Sequence, residues 1–469
     1  MIFRAAVPPR VVFIGLSLEL YRRGTPDDFS AYERHFRIWS EQLSRIAEIA
    51  ASGVACTREE IEALLESVPE SEIDAVVIAP LSYTVSRPIA DALKRTSLPV
   101  AVWNTQQADS FDENYTPHDL VLNHTVQGTQ DITNVLFRRG REFTIVSGHY
   151  ADSEKLARLR TVLETARAAH AMRSLRTGTI GGRFEEMDDF LFDETQLRKK
   201  LGWGFQEVPL AEYLRAWEET GDSAIREVME ADREKFSVAP SLTEATHRAS
   251  VRGYLALRRI AREHRFDAMT FNFLISETEA IPGGVPFYGI NRLMEEGMGY
   301  AGEGDSLRAA LCAGMRLLAG SANFTEIYTV DFVNGRFMMS HMQECNSAWA
   351  RRDRKVELRQ MPFWLSGYPD YAGMYFTLEP MPVTLVTLTE DGRGGYRFVA
   401  FTGEIEDIAP LRRYNRAHWI LRVPDAARCL DRYSEEGGSH HLIAMPGDQR
   451  EKLRLLAKFQ SIDFVDIGA

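Results

Sequence analysis

DAVVIAP, residues 74–80, and LPVAVWN, residues 98–104, are apolar runs without alternating polar positions. A strand buried on both faces reads this way, and such strands belong to parallel sheets covered by helices. RVVFIGL (10–16), DLVLNHT (119–125) and EFTIVSG (142–148) share the character, and segments such as 30–51 and 153–171 carry helical periodicity. The βαβ rhythm predicts an α/β fold, a doubly wound parallel sheet with ligand crevices at the carboxyl ends of its strands. After the first run only Gly15 precedes Tyr21, so no GxGxxG loop is present and no nucleotide cofactor is expected.

Further along, TGTIGGRFEEMDDF (177–190) is a glycine-rich turn entering an acidic segment. Helical stretches around 208–235 and 243–265, a strand at 267–274, the breaker-rich IPGGVPFYG (281–289) and a short helix follow. Beyond residue 323 the character turns to β. FTEIYTVDFVNGRFMMSHMQEC (324–345) and VTLVTLTEDGRGGYRFVAFTGEI (383–405) read as hairpins, followed by a strand at 417–423, a helix near 448–460 and a terminal FVDI. The expected organisation is a doubly wound domain over 1–172, a central α/β domain over 173–322 and a mixed, largely antiparallel domain over 323–469.

Composition bounds the function. A formal charge of −12 with no basic cluster excludes nucleic acid and anionic membrane as main partners. Cys56, Cys312, Cys345 and Cys429 are scattered without a CxxC pair, as expected of buried thiols in a reducing compartment. The stretch MIFRAAVPPRVVFIGLSLEL is broken by Arg4, two prolines and Arg10, a poor signal peptide, and no run of 18 apolar residues occurs. A cytoplasmic location is expected.

The stretch GMGYAGEGDSLRAALCAGM (297–315) carries the first candidate chemistry. Leu307, Ala310, Leu311, Met315 and Leu318 form a helical stripe, and Asp305 is placed to cap that helix. The cap does not explain Glu303, which stands between Gly302 and Gly304. In the hairpin that follows, a two-residue Asn334-Gly335 turn would pair Val333 with Arg336, Tyr328 with His341 and Glu326 with Gln343. Glu326 and His341 would then be diagonal neighbours, about 7–8 Å apart, on a face shared with Phe324, Val330 and Phe332. A structural Glu–His bond and a shared metal ion are both compatible with that pairing. His440 and His441 follow Gly437-Gly438, and in extended chain at most one of them should reach a common site.

In GMGYAGEGD, FTEIYTVDF, SHMQEC and GGSHH, with weaker likeness in LNHTVQG (122–128), VSGHY (146–150) and RFEEMDDF (183–190), the chain resembles the L-arabinose isomerase family, placed with the L-fucose isomerases. The resemblance implies an aldose–ketose isomerase acting on a free sugar through an enediol. It implies a divalent metal, Mn²⁺ with Co²⁺ or Mg²⁺ as substitutes, held by Glu303, Glu326, His341 and His441, with both glutamates catalytic. It implies substrate contacts from Tyr21, His124, Gln127, Met187 and His440, and a trimer-based or hexameric homo-oligomer. GLSLELYRRG lacks the family's glutamine before Tyr21, and His124 and Gln127 stand in exchanged order, which points to altered hydroxyl recognition. The rival readings are a glycoside hydrolase or other carbohydrate-active enzyme using Glu303 and Glu326, and a non-catalytic sugar-binding protein.

Overall fold

A computed structural model describes residues 7–277, 281–363, 368–411 and 413–468; the first six residues of the amino-terminal stretch read above lie outside it. The chain divides into two compact units, Val7–His170 and a unit formed chiefly by Ala171–Ala469.

The first unit is built on a five-stranded parallel sheet in the order Glu48–Ala55, Arg10–Leu16, Ala75–Pro80, Val100–Asn104 and Thr144–Ser147. The apolar runs are its inner strands: Val76, Val77, Ile78 and Val102 are wholly buried. Strand order reverses between the first and third strands in the chain, and Ser17 and Ser82 bond to one another at 2.9 Å beyond their ends. Two expectations fail here. DLVLNHT is not a strand, because Thr116 and Asp119 form a reciprocal capping box with Pro117 at the first turn, and the helix Pro117–Asn123 results. The helix expected over 30–51 stops at Leu43, and Glu48–Ala55 adds a half-exposed edge strand.

The second unit opens with a four-stranded parallel sheet in the order Gly299–Gly302, Ala268–Phe271, Arg176–Ile180 and Gly204–Val208. The helix Ser306–Ala319 packs so closely on it that a Cβ at Gly299 would lie 2.4 Å from the Ala313 nitrogen. A largely antiparallel sheet follows in the order Pro382–Glu390, His441–Pro446, Asn323–Asp331, Arg336–Ser340, His418–Arg422, Tyr396–Ile405 and Asp463–Asp466. Pro382–Glu390 also pairs with Tyr396–Ile405, closing six of these strands into a barrel. The fold is therefore two doubly wound parallel sheets followed by a mixed, largely antiparallel β region. No helix among the described residues is long and apolar enough to cross a membrane.

The hairpin at the head of the barrel departs from the expected register. Asp331 pairs with Arg336 across a four-residue turn, because the Asp331 carboxylate accepts the Asn334 backbone N–H at 3.0 Å and its side-chain amide at 2.8 Å. A bulge at Tyr328 then shifts the ladder, so Glu326 pairs with Ser340 rather than Gln343, and Tyr328 opposes no residue. The expected apolar face is also interrupted: Phe324 is buried, but Phe332 is 66% exposed at the turn.

Candidate metal centre

Glu303 occupies the junction between the strand Gly299–Gly302 and the helix Ser306–Ala319 with a left-handed backbone, φ 63°. Its glycine neighbours are sterically required. A Cβ at Gly302 would lie 2.7 Å from the His341 ring, and one at Gly304 would strike the Gly182 carbonyl at 2.3 Å. The Phe184 backbone N–H bonds the Glu303 carbonyl at 3.2 Å, fixing the 181–187 loop against it. Asp305 caps the helix as expected, accepting the Arg308 N–H at 3.0 Å.

Glu326 lies between the strands Arg336–Ser340 and His441–Pro446, paired through its backbone with Ser340 on one side and His441 on the other. Its Oε1 stands 3.0 Å from His441 Nε2 and 3.6 Å from His341 Nε2. Glu303 Oε2 stands 3.7 Å from His441 Nε2. Glu303, Glu326, His341 and His441 each offer a ligand atom, and the four atoms all lie within 4.8 Å of one another. The sequence register was wrong, yet the two residues it joined do meet, because His341 lies just past the strand end and turns toward Glu326.

The other face of each imidazole is held by a carboxylate. His341 Nδ1 lies 2.6 Å from Glu344 Oε2, and His441 Nδ1 lies 3.0 Å from Asp305 Oδ2. A carboxylate accepts the Nδ1 proton and leaves the Nε2 lone pair facing inward, the arrangement that orients metal-binding histidines. Two buried atoms, Glu303 Oε2 and His441 Nε2, have no hydrogen-bond partner. Such orphans are costly unless a cation satisfies them. Two carboxylates and two imidazoles with inward lone pairs suit a divalent ion such as Mn²⁺ or Co²⁺.

Electrostatics agree. Burial pushes the Glu326 carboxyl up, but His341, His441 and His440 around it bring it below its ordinary value. Burial lowers His341, yet Glu344 and Glu326 overcome it and raise the imidazole to about 9. Glu344 is likewise opposed by burial and held down chiefly by His341. The site is a concentration of negative charge that favours a cation at its centre.

His440 corrects another expectation. Adjacent histidines were expected to point apart, but His440 precedes the strand His441–Pro446 and is not bound by its alternation. Both rings stack against Phe190, and His440 Nε2 reaches within 3.5 Å of Glu326 Oε1. Met187 is half-buried in the loop leading to the short turn Asp188–Phe190. Tyr21, His124 and Gln127 belong to the other unit. There Tyr21 Oη lies 3.0 Å from His124 Nε2, while Gln127 is exposed on the helix Thr125–Arg138. Sequence reasoning missed Glu344, whose signal was the His-x-x-Glu spacing within SHMQEC, and Asp189, which had none.

Fold and site together define an α/β protein with a largely antiparallel barrel and a four-residue cluster able to hold a metal ion. The family model for the L-arabinose isomerase central domain matches residues 192–321, and that for the L-arabinose isomerase C-terminal domain matches 321–463. The chain is a divergent member of the L-arabinose isomerase family. It is similar to the L-arabinose isomerase of Nocardioides sp., 26% identical over 74% of this chain and 71% of that one. The L-arabinose isomerases of Herpetosiphon aurantiacus (26% identical) and Halalkalibacterium halodurans (23%) align over 92% of this chain and 88% of theirs. A periplasmic solute binding protein from Actinobacillus succinogenes with bound D-allose covers 66% of this chain and 91% of its own at 12% identity, but a TM-score of 0.17 carries no argument.

Proposed function

We propose that this protein is a divalent-metal-dependent isomerase that interconverts a free aldose and its ketose through an enediol, with an L-arabinose-like pentose or related aldose as substrate. The observation that carries the reading is the convergence of Glu303, Glu326, His341 and His441 on one point, with two of their buried atoms unsatisfied. These four would hold the ion, Mn²⁺ in first place. When bound, the ion supplies Lewis-acid polarisation of the sugar carbonyl.

Moving a proton between C2 and C1 also needs a base that can return what it takes. Glu303 and Glu326 stand on two sides of the centre, so one carboxylate removes the C–H proton while the other attends the hydroxyl. Phe190 packs its ring against His441, and Phe324 packs against both His341 and His441, holding the imidazoles in place. Met187 and His440 are assigned to sugar contact. Tyr21, His124 and Gln127 are assigned to sugar recognition in a trimer-based or hexameric homo-oligomer.

The test is an aldose panel assayed for ketose with Mn²⁺ and with chelator. Metal-dependent ketose formation supports the reading. Release of an aglycone from a glycoside without metal would replace it with hydrolysis.

A further inference from the structure

Asp189 lies far from the four cluster residues in sequence, on the turn Asp188–Phe190, and its side chain is committed to the histidine pair. Its Oδ2 lies 2.7 Å from His440 Nδ1 and accepts the Ser439 hydroxyl at 2.9 Å. Ser439 Oγ in turn accepts the His441 backbone N–H at 2.8 Å. The aspartate is itself anchored, because the buried Arg308 guanidinium donates to its carbonyl at 2.7 Å. Phe190 supplies a stacking surface for the His440 ring, with centroids 5.2 Å apart.

These contacts leave one edge of His440 open. With Nδ1 held by Asp189, its Nε2 faces the gap between Glu326 Oε1, at 3.5 Å, and Glu303 Oε2, at 3.9 Å. Both distances are at or beyond the outer limit of a hydrogen bond, so a ligand oxygen can compete for Nε2. The ring is 41% exposed, unlike the wholly buried His441 beside it, so it remains reachable from solvent. His341 and His441 are each backed by a carboxylate in the same manner, yet neither has an open edge.

We propose that Asp189 is a positioning residue for sugar turnover, fixing the His440 ring so that Nε2 meets a sugar oxygen between Glu303 and Glu326. The assignment rests on the isomerase reading above. It adds a third carboxylate–imidazole pair, directed at the substrate rather than at the ion.

The test compares Asp189→Ala and Asp189→Asn with the parent protein loaded with Mn²⁺. Asp189→Ala frees the ring, and kcat should fall about 10–100-fold, since small misplacements near the reacting centre carry such losses. KM and the Mn²⁺ affinity, measured by chelator competition, should move much less. Asp189→Asn keeps an oxygen that accepts the Nδ1 proton, so it should recover most of kcat. Crystal structures of the variants should show His440 displaced in Asp189→Ala and retained in Asp189→Asn. An Asp189→Ala protein with parental kcat, or a His440 ring unmoved in it, overturns the assignment while leaving the isomerase reading intact. An Asp189→Asn protein as impaired as Asp189→Ala also overturns it, because charge and not placement would then be the requirement. A parent protein that converts no aldose sinks both readings.

Discussion

His441 Nδ1 lies 3.0 Å from Asp305 Oδ2, and the same carboxylate accepts the Arg308 backbone N–H through its other oxygen. One side chain therefore starts a helix and orients a histidine 136 positions away. The two duties are separable. Serine can cap the helix but is too short to reach His441. Asp305→Ser should keep the cap, lose stability only through the unpartnered His441 and Arg308, and lose about 10–100-fold in metal affinity, the usual consequence of removing a histidine's orienting carboxylate. Asp305→Ala should lose that affinity and a further ~1 kcal/mol of stability relative to Asp305→Ser, the cost of the cap. Parental affinity in both variants would show that the contact is structural only.

Glu344 holds His341 at 2.6 Å and also accepts the Gln343 backbone N–H at 2.9 Å. Glu344→Gln retains the shape without the charge. Chelator competition should show about 10–100-fold weaker metal binding. An unchanged dissociation constant would remove Glu344 from the support of the centre.

Glu303→Gln and Glu326→Gln each remove a carboxylate that the proposed reaction needs, while leaving an amide of the same size. Ketose formation should disappear in both, and the far-ultraviolet circular dichroism should match the parent. Full turnover in either variant rejects that residue as an acid or base.

Mn²⁺ bound only by the folded protein should stabilise it by mass action, about 2.7 kcal/mol at a hundredfold excess over the dissociation constant. Excess chelator should abolish the gain. A protein carrying His341→Ala and His441→Ala should show no Mn²⁺-dependent shift in its urea transition. A shift of parental size would place the ion elsewhere.

All four cysteines are buried free thiols. Burial pushes Cys312 up to about 11 and Cys56, Cys345 and Cys429 up to about 12. The thiolate is the reactive form, so at pH 9 only about one thiol in a hundred or fewer is ionised at these positions. Native protein should resist iodoacetamide at pH 9, and urea-unfolded protein should take up four labels. Rapid labelling of any native cysteine contradicts its burial.

The parallel sheets were legible because a strand covered on both faces leaves an unbroken apolar run, as at Ala75–Pro80. The same logic misread DLVLNHT, since a short apolar run fits helix or strand, and the deciding information lay upstream in the Thr116–Asp119 cap. The hairpin failed differently. A bulge at Tyr328 changes the ladder by one position, and nothing in residue periodicity marks it. Asp305 was legible as a cap because capping is local. Its contact with His441, and Asp189's with His440, arise from tertiary folding that no spacing rule encodes.

The strand bearing His441 lies within the closed barrel between Pro382–Glu390 and Asn323–Asp331, and it is the penultimate strand among the described residues. Glu303 and Glu326 are thus synthesised well before their last partner. During translation a nascent chain can fold its earlier parallel sheets but cannot assemble all four donors until the end of the barrel has emerged. The full set of candidate donors therefore exists only once the strand His441–Pro446 has been made, and products truncated before it lack His441.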